Sequence, residues 1–110
     1  VIPFQIATNK KLFGQYDGFS FFVFIFYWKG CKQKDEIINH ELIHFYQQLE
    51  MLFIFHWLLY LLFYGIARLK GKNHMTAYYT IPFEKEAYAF EKDMQYTRHR
   101  KFFAWLRFAW

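Results

Sequence analysis

Hydrophobic and polar positions fall in blocks along this chain of 110 residues. Phe19–Trp28 is ten residues without a charge, dense in Phe, Val and Ile, between Asp17-Gly18 and Lys29-Gly30. That length, composition and flanking turn chemistry predict one buried strand over 19–28. Residues 1–18 ahead of it read as an irregular lead-in: Pro3 disfavours regular structure and Tyr16-Asp17-Gly18 marks a turn. Asp35 and Glu36 suit the acidic first turn of a helix. From there to Leu69 only Gly65 weakens the pattern, so the sequence predicts a single long helix over 35–69. Its first third is amphipathic, whereas Met51–Ala67 is seventeen residues with one His and no formal charge. At 1.5 Å per residue that run covers about 25 Å, the short limit for a bilayer span.

Lys70-Gly71-Lys72-Asn73-His74 is a polar turn, and the uncharged Met75–Phe83 reads as extended. Pro82 at a first helical position places Glu84 third, an N-terminal signature for a second helix over 82–100. The tail, 101–110, is basic and aromatic, the pattern of a segment lying in a membrane interface. The expected fold is therefore mainly α with a short β element, a single domain over 1–110 without internal repeats.

Composition changes this picture by adding a surface. Aromatics are 26% of residues (16 Phe, 9 Tyr and 4 Trp), more ring area than a domain this small can bury. The net charge is +5. Basic charge with aromatics is compatible with nucleic acid, but here the rings lie in contiguous apolar blocks, which excludes that reading and favours an anionic membrane surface. Cys31 is the single cysteine, so no intramolecular disulfide forms. Val1–Lys11 lacks the ordered basic, apolar and small-residue regions of a secretory signal.

Candidate chemistry concentrates at His40-Glu41-Leu42-Ile43-His44. On a helix the two histidines lie one turn apart, as a tetrahedral zinc site requires, with Glu41 beside them as general base. With His40 at zero, His44 falls at about 40°, Gln47 at about −20° and Met51 at about 20°, so the ligand face continues into the apolar face. A catalytic zinc needs a third protein ligand and an open position. Phe83-Glu84-Lys85-Glu86-Ala87 offers Glu84, which shares a face with Tyr88, Glu91 and Gln95, or Glu86; spacing alone leaves both open. His56, at about 160°, reads as a hydrogen-bonded histidine among aromatics. Gln47 and Gln48 read as helix-surface hydrogen-bonders, and His74, Tyr78 and Tyr79 as loop and interface anchors before oxyanion donors. Cys31 is a weak further ligand. The 19–28 strand, just ahead of the site helix, could pair a peptide along its edge.

The pairing of His-Glu-Leu-Ile-His with Phe-Glu-Lys-Glu-Ala resembles the gluzincin metallopeptidases, particularly the membrane-embedded CAAX prenyl protease and HtpX families. That resemblance covers two short blocks. Registered on Ala87, it implies Glu84 as the third zinc ligand, with Tyr88 standing where those families carry Asp. Over most of its length the chain is also similar to small bacterial membrane proteins carrying His-Glu-x-x-His-x-x-Gln-Gln, a likeness that implies no activity.

Two functions are expected. One is a membrane-associated zinc metallopeptidase-like protein, with zinc on His40, His44 and Glu84, Glu41 as base, and a peptide or protein substrate near the membrane. The other is a non-catalytic accessory or structural subunit of a larger membrane protein complex, with a structural or vestigial metal site. Both face a distance test. A straight helix puts Arg68 about 36 Å from His44, so Glu84 reaches the histidines only if that helix bends or 75–83 returns as a strand.

Overall fold

The computed structural model describes residues 3–13 and 16–109; residues 1, 2, 14 and 15 of the expected lead-in and Trp110 of the tail lie outside them. Its chain order is β1 (Phe4–Thr8), β2 (Gly18–Phe21), β3 (Phe24–Trp28), α1 (Lys34–Glu50), α2 (Ile54–Leu69), α3 (His74–Thr80), α4 (Pro82–Phe90), α5 (Tyr96–His99) and a 3-10 helix at Ala104–Phe108. The mainly α character with a small sheet is as expected. The sheet is larger than expected and the helices are shorter.

The single strand over 19–28 is in fact a hairpin. β2 and β3 pair antiparallel around Phe22-Val23, with Phe21 opposite Phe24. Two-residue hairpin turns need a positive φ at their first central position, where Gly is usual. Here Phe22 takes it, at φ 55°. Its N–H is held by the Gln48 side chain at 2.9 Å. The lead-in also contributes β1, parallel to β3, giving the order β1-β3-β2. β2 is therefore an edge strand, and it lies against α1. Gly18 permits that approach: a Cβ there would sit 2.7 Å from Ile37 Cγ2 and 2.9 Å from a Glu41 carboxylate oxygen.

The single helix over 35–69 is two helices, α1 and α2, bent by 112°. No single helix among the described residues is long and apolar enough to cross a membrane. The break falls at Leu52 and Phe53, with φ of 53° and 62°. Left-handed backbone costs a residue with a Cβ about 1–2 kcal/mol. Phe53 N–H recovers part of this by donating to the Gln48 carbonyl at 2.7 Å, while Met51 buries its side chain. Gly65, the expected weak point, sits inside continuous α2 with open space around it.

The bend folds α2 back, so its inner face packs with Phe83 and Trp105. Met51, Ile81, Phe83 and Trp105 form one buried cluster, against which Leu59, Tyr60, Phe63 and Tyr64 pack. Trp105 belongs to the expected interfacial tail; it is core instead, because the 3-10 helix packs on α4. Residues 75–83 are not extended: Asn73 caps α3 by accepting from Thr76 N–H at 2.9 Å. Pro82 opens α4 and Glu84 lies in its first turn, as expected. α4 ends at Phe90 rather than running on to 100, because the Asn39 amide donates to the Glu91 and Asp93 carbonyls at 2.7 and 3.0 Å.

Candidate metal centre

α1 and α4 cross so that His40, His44 and Glu84, all buried, meet. Among the described residues these three form the group whose donor atoms could hold one metal ion. His40 Nε2 lies 3.1 Å from Glu84 Oε1, His44 Nε2 lies 3.0 Å from the same oxygen, and the two Nε2 atoms are 3.2 Å apart. A tetrahedral site with bonds of about 2.05 Å has ligand–ligand edges of about 3.35 Å. The triangle is thus within a few tenths of an ångström of what zinc requires. The bend satisfies the distance test, and no return strand is used.

The remaining ring nitrogens are fixed by their neighbours. Gln47 Nε2 donates to the Phe83 carbonyl at 3.1 Å and to Glu86 Oε1 at 2.9 Å. Both partners accept only, so the amide oxygen must face His44 Nδ1, 2.8 Å away. His44 is therefore protonated on Nδ1, which would leave Nε2 as the nitrogen available to a metal. His40 Nδ1 is held by Glu91 Oε1 at 2.8 Å. A carboxylate or carbonyl behind a ligand histidine fixes its ring and raises its basicity. Tyr88, standing where the resembled families have Asp, instead packs its ring against His40 at 4.4 Å. Glu91 supplies the carboxylate, and its shared helical face with Glu84 was the signal that could have identified it.

Gln47 and Gln48 are buried, not on the surface. Gln48 ties α1 to the hairpin through Ser20 Oγ, 3.1 Å from its Nε2, and through Phe22 N–H. Glu86 is turned away from the metal group. It accepts from Tyr96 at 2.6 Å and from Arg100, which also holds Glu50 with two hydrogen bonds of 3.0 and 2.9 Å. Arg100 is thus buried between two carboxylates.

Glu84 gathers the site's charge. Its Oε2 accepts from Tyr60 at 2.8 Å and its Oε1 from Tyr78 at 3.1 Å. Burial opposes its ionisation, but His44 and the hydrogen bonds from both histidines outweigh this and hold its carboxyl well below the usual range. Burial likewise disfavours charge on His40, yet its bonds to Glu84 and Glu91 push it up to about 10. His44 is also raised, because the Glu84 carboxylate outweighs burial. Burial pushes Glu41 up.

His44, Glu41 and Glu84 line a cavity of about 580 Å³, whose other walls are chiefly aromatic. His56 lines it too, because the bend turns α2 inward. His56 is not hydrogen-bonded as expected. Both its nitrogens are buried without a partner among the described residues, and its ring lies 4.4 Å from that of Phe83. Burial and the neighbouring His44 lower it to about 3, so it is neutral. His74 is an anchor, bonded to Tyr16 at 2.8 Å and Tyr64 at 2.9 Å. Tyr78 bonds Glu84, while Tyr79 is exposed, its ring tilted against that of Tyr88 at 5.1 Å. Cys31 is free and stands outside the metal group. No family model, curated protein or solved structure matches the chain.

Proposed function

We propose that the chain is a small zinc metallopeptidase-like hydrolase. The carrying observation is the triangle of His40 Nε2, His44 Nε2 and Glu84 Oε1, with edges of 3.0–3.2 Å, beside a cavity that Glu41 also lines. Zinc held there would supply Lewis-acid activation of water and of a carbonyl oxygen. Zinc is preferred because two imidazoles and one carboxylate, with room for a fourth position, are its catalytic donor set.

Glu41 takes the proton from the attacking water and returns it to the leaving amine. Gly18 keeps the β2 backbone against that carboxylate, leaving it little room to turn away. His56, neutral and unpartnered, can donate an N–H to the oxygen that gains charge as a peptide carbonyl is attacked. Along the edge strand, Gln48 already bonds Ser20 and Phe22, so a peptide would pair near Gly18, beside Glu41.

A second reading draws on the exposed aliphatic side chains of α2, which suit a subunit of a larger membrane complex whose metal is structural. Metal analysis of the purified chain tests the first part. One zinc per chain, lost in Glu84→Gln and in His44→Ala, is expected; a wild-type chain that takes up no zinc ends the hydrolase reading. Glu41→Gln separates them: zinc retained with peptide cleavage abolished marks the hydrolase. Absence of cleavage by zinc-loaded wild type against a mixed peptide library leaves the structural metal site.

A further inference from the structure

Helix α2 is amphipathic in an unusual direction. Ile54, Phe55, Leu58, Leu61, Leu62 and Leu69 are each between 54% and 90% exposed. At 100° per residue they fall within an arc of about 120°. The opposite side, with His56, Leu59, Tyr60 and Phe63, faces the cavity or the core. An aliphatic strip of this length is seldom left in water.

Three features choose its partner. The outer positions carry no polar side chain, whereas a protein interface of comparable size needs about one hydrogen bond per 100–200 Å². Arg68, Lys70 and Lys72 stand exposed at the strip's C-terminal end, and residues 51–83 contain no Asp or Glu. The strip is also continuous with the cavity: Leu61 belongs to both, and Phe13 and Phe21, which also line the cavity, are 72% and 46% exposed. At sixteen residues, about 24 Å, α2 is too short to cross a bilayer but suited to lie in its surface.

We propose that the outer face of α2 seats the protein on an anionic lipid bilayer, in the plane of the interface, with the cavity mouth at acyl-chain level. The substrate then enters from the lipid side and carries an apolar segment or chain that partitions into the bilayer. This substrate class rests on the hydrolase reading, whereas the seating does not.

Flotation with vesicles tests the seating on chelator-treated chain, so that a failure of the zinc reading cannot mask it. Binding to vesicles of three parts phosphatidylcholine to one of phosphatidylglycerol is expected, weaker to phosphatidylcholine alone and weaker at high salt. Leu58→Glu/Leu62→Glu should reduce binding at least tenfold while zinc uptake is unchanged. Arg68→Gln/Lys70→Gln/Lys72→Gln, which leaves the strip intact, should reduce it several-fold and serves if the first variant fails to fold. Wild-type chain that stays with the aqueous fraction overturns the proposal. So does a dimer in light scattering that dissociates in Leu58→Glu/Leu62→Glu, since a second copy would then be the occupant.

Discussion

Helices α1 and α2 are consecutive, seventeen and sixteen residues long, and inverted with respect to each other. α1 buries Asn39, His40, Glu41, His44, Gln47 and Gln48; α2 buries only His56 and Ala67 and leaves its aliphatic side chains outside. Neither arrangement serves stability. Buried polar groups are tolerable only when paired, and in α1 the amide and imidazole groups are paired, each by a neighbour whose own orientation is fixed. In α2 the one buried polar side chain is unpartnered, which is why His56 reads as a group waiting for a ligand rather than one holding the fold. The contrast teaches that α1 is built around a site and α2 around a surface.

The contrast is broken most severely at Arg100. Its guanidinium sits between Glu50 and Glu86, with all three side chains at most 5% exposed. Arg100→Met strands two buried carboxylates and should cost about 3–5 kcal/mol, read as a lowered midpoint in urea. An effect below about 1 kcal/mol would mean that water reaches the pair.

Gln47→Leu acts on the site with less damage to the fold. It removes the acceptor behind His44 Nδ1 and frees the imidazole to change tautomer. Zinc affinity should fall about 10- to 100-fold, measured by competition with a chelating dye.

Acidity sharpens the comparison without a mutation. His40 holds its proton up to about 10 in the metal-free fold, against an ordinary value of 6.5. The stability this contributes is complete below pH 6.5 and is lost as pH rises through about 10. Glu84, held below its ordinary 4.5, contributes stability above that value and loses it as pH falls below. Zinc at the proposed site would compete with the His40 proton, so its affinity should rise over the range in which the metal-free chain weakens. Melting curves from pH 6.5 to 10 should show Tm falling with chelator present and the zinc-induced increment growing. A metal-free Tm that does not fall over this range would detach His40 from both carboxylates.

The smallest expected effect lies at the joint between the helices. Leu52 is 70% exposed at φ 53°, so Leu52→Gly gives up little packing and relieves left-handed strain. After the added backbone entropy of Gly, a gain of about 0.5–1 kcal/mol should appear in urea unfolding.

What the sequence made legible was local. The helix carrying His40 and His44, the start of α4 at Pro82 and the common face of Glu84 and Glu91 all follow from capping residues and helical period. The bend did not, because its left-handed positions hold Leu52 and Phe53 where Gly would have announced them, while Gly65 lies in unbroken helix. The hairpin was hidden in the same way by Phe22. Trp105 read as interfacial, and the ion pairs of Arg100 went unseen, because their partners, Phe83 for the one and Glu50 and Glu86 for the other, are distant in the chain. α3 carried its own signal in Asn73 and Thr76, outweighed by the poor helix formers Tyr78, Tyr79 and Thr80 that follow. Tertiary pairing, invisible to periodicity, decided each of these.

The bend also sets an order of events during synthesis. His44 and Glu84 are separated by 40 residues, and all of α2 lies between them. At about 5–20 residues per second, Glu84 is added roughly 2–8 s after His44. The aliphatic strip is therefore made while the site still has only two of its three donors, and any surface that α2 engages co-translationally is met first. A metal would then be captured late, after α2 has met whatever surface it engages.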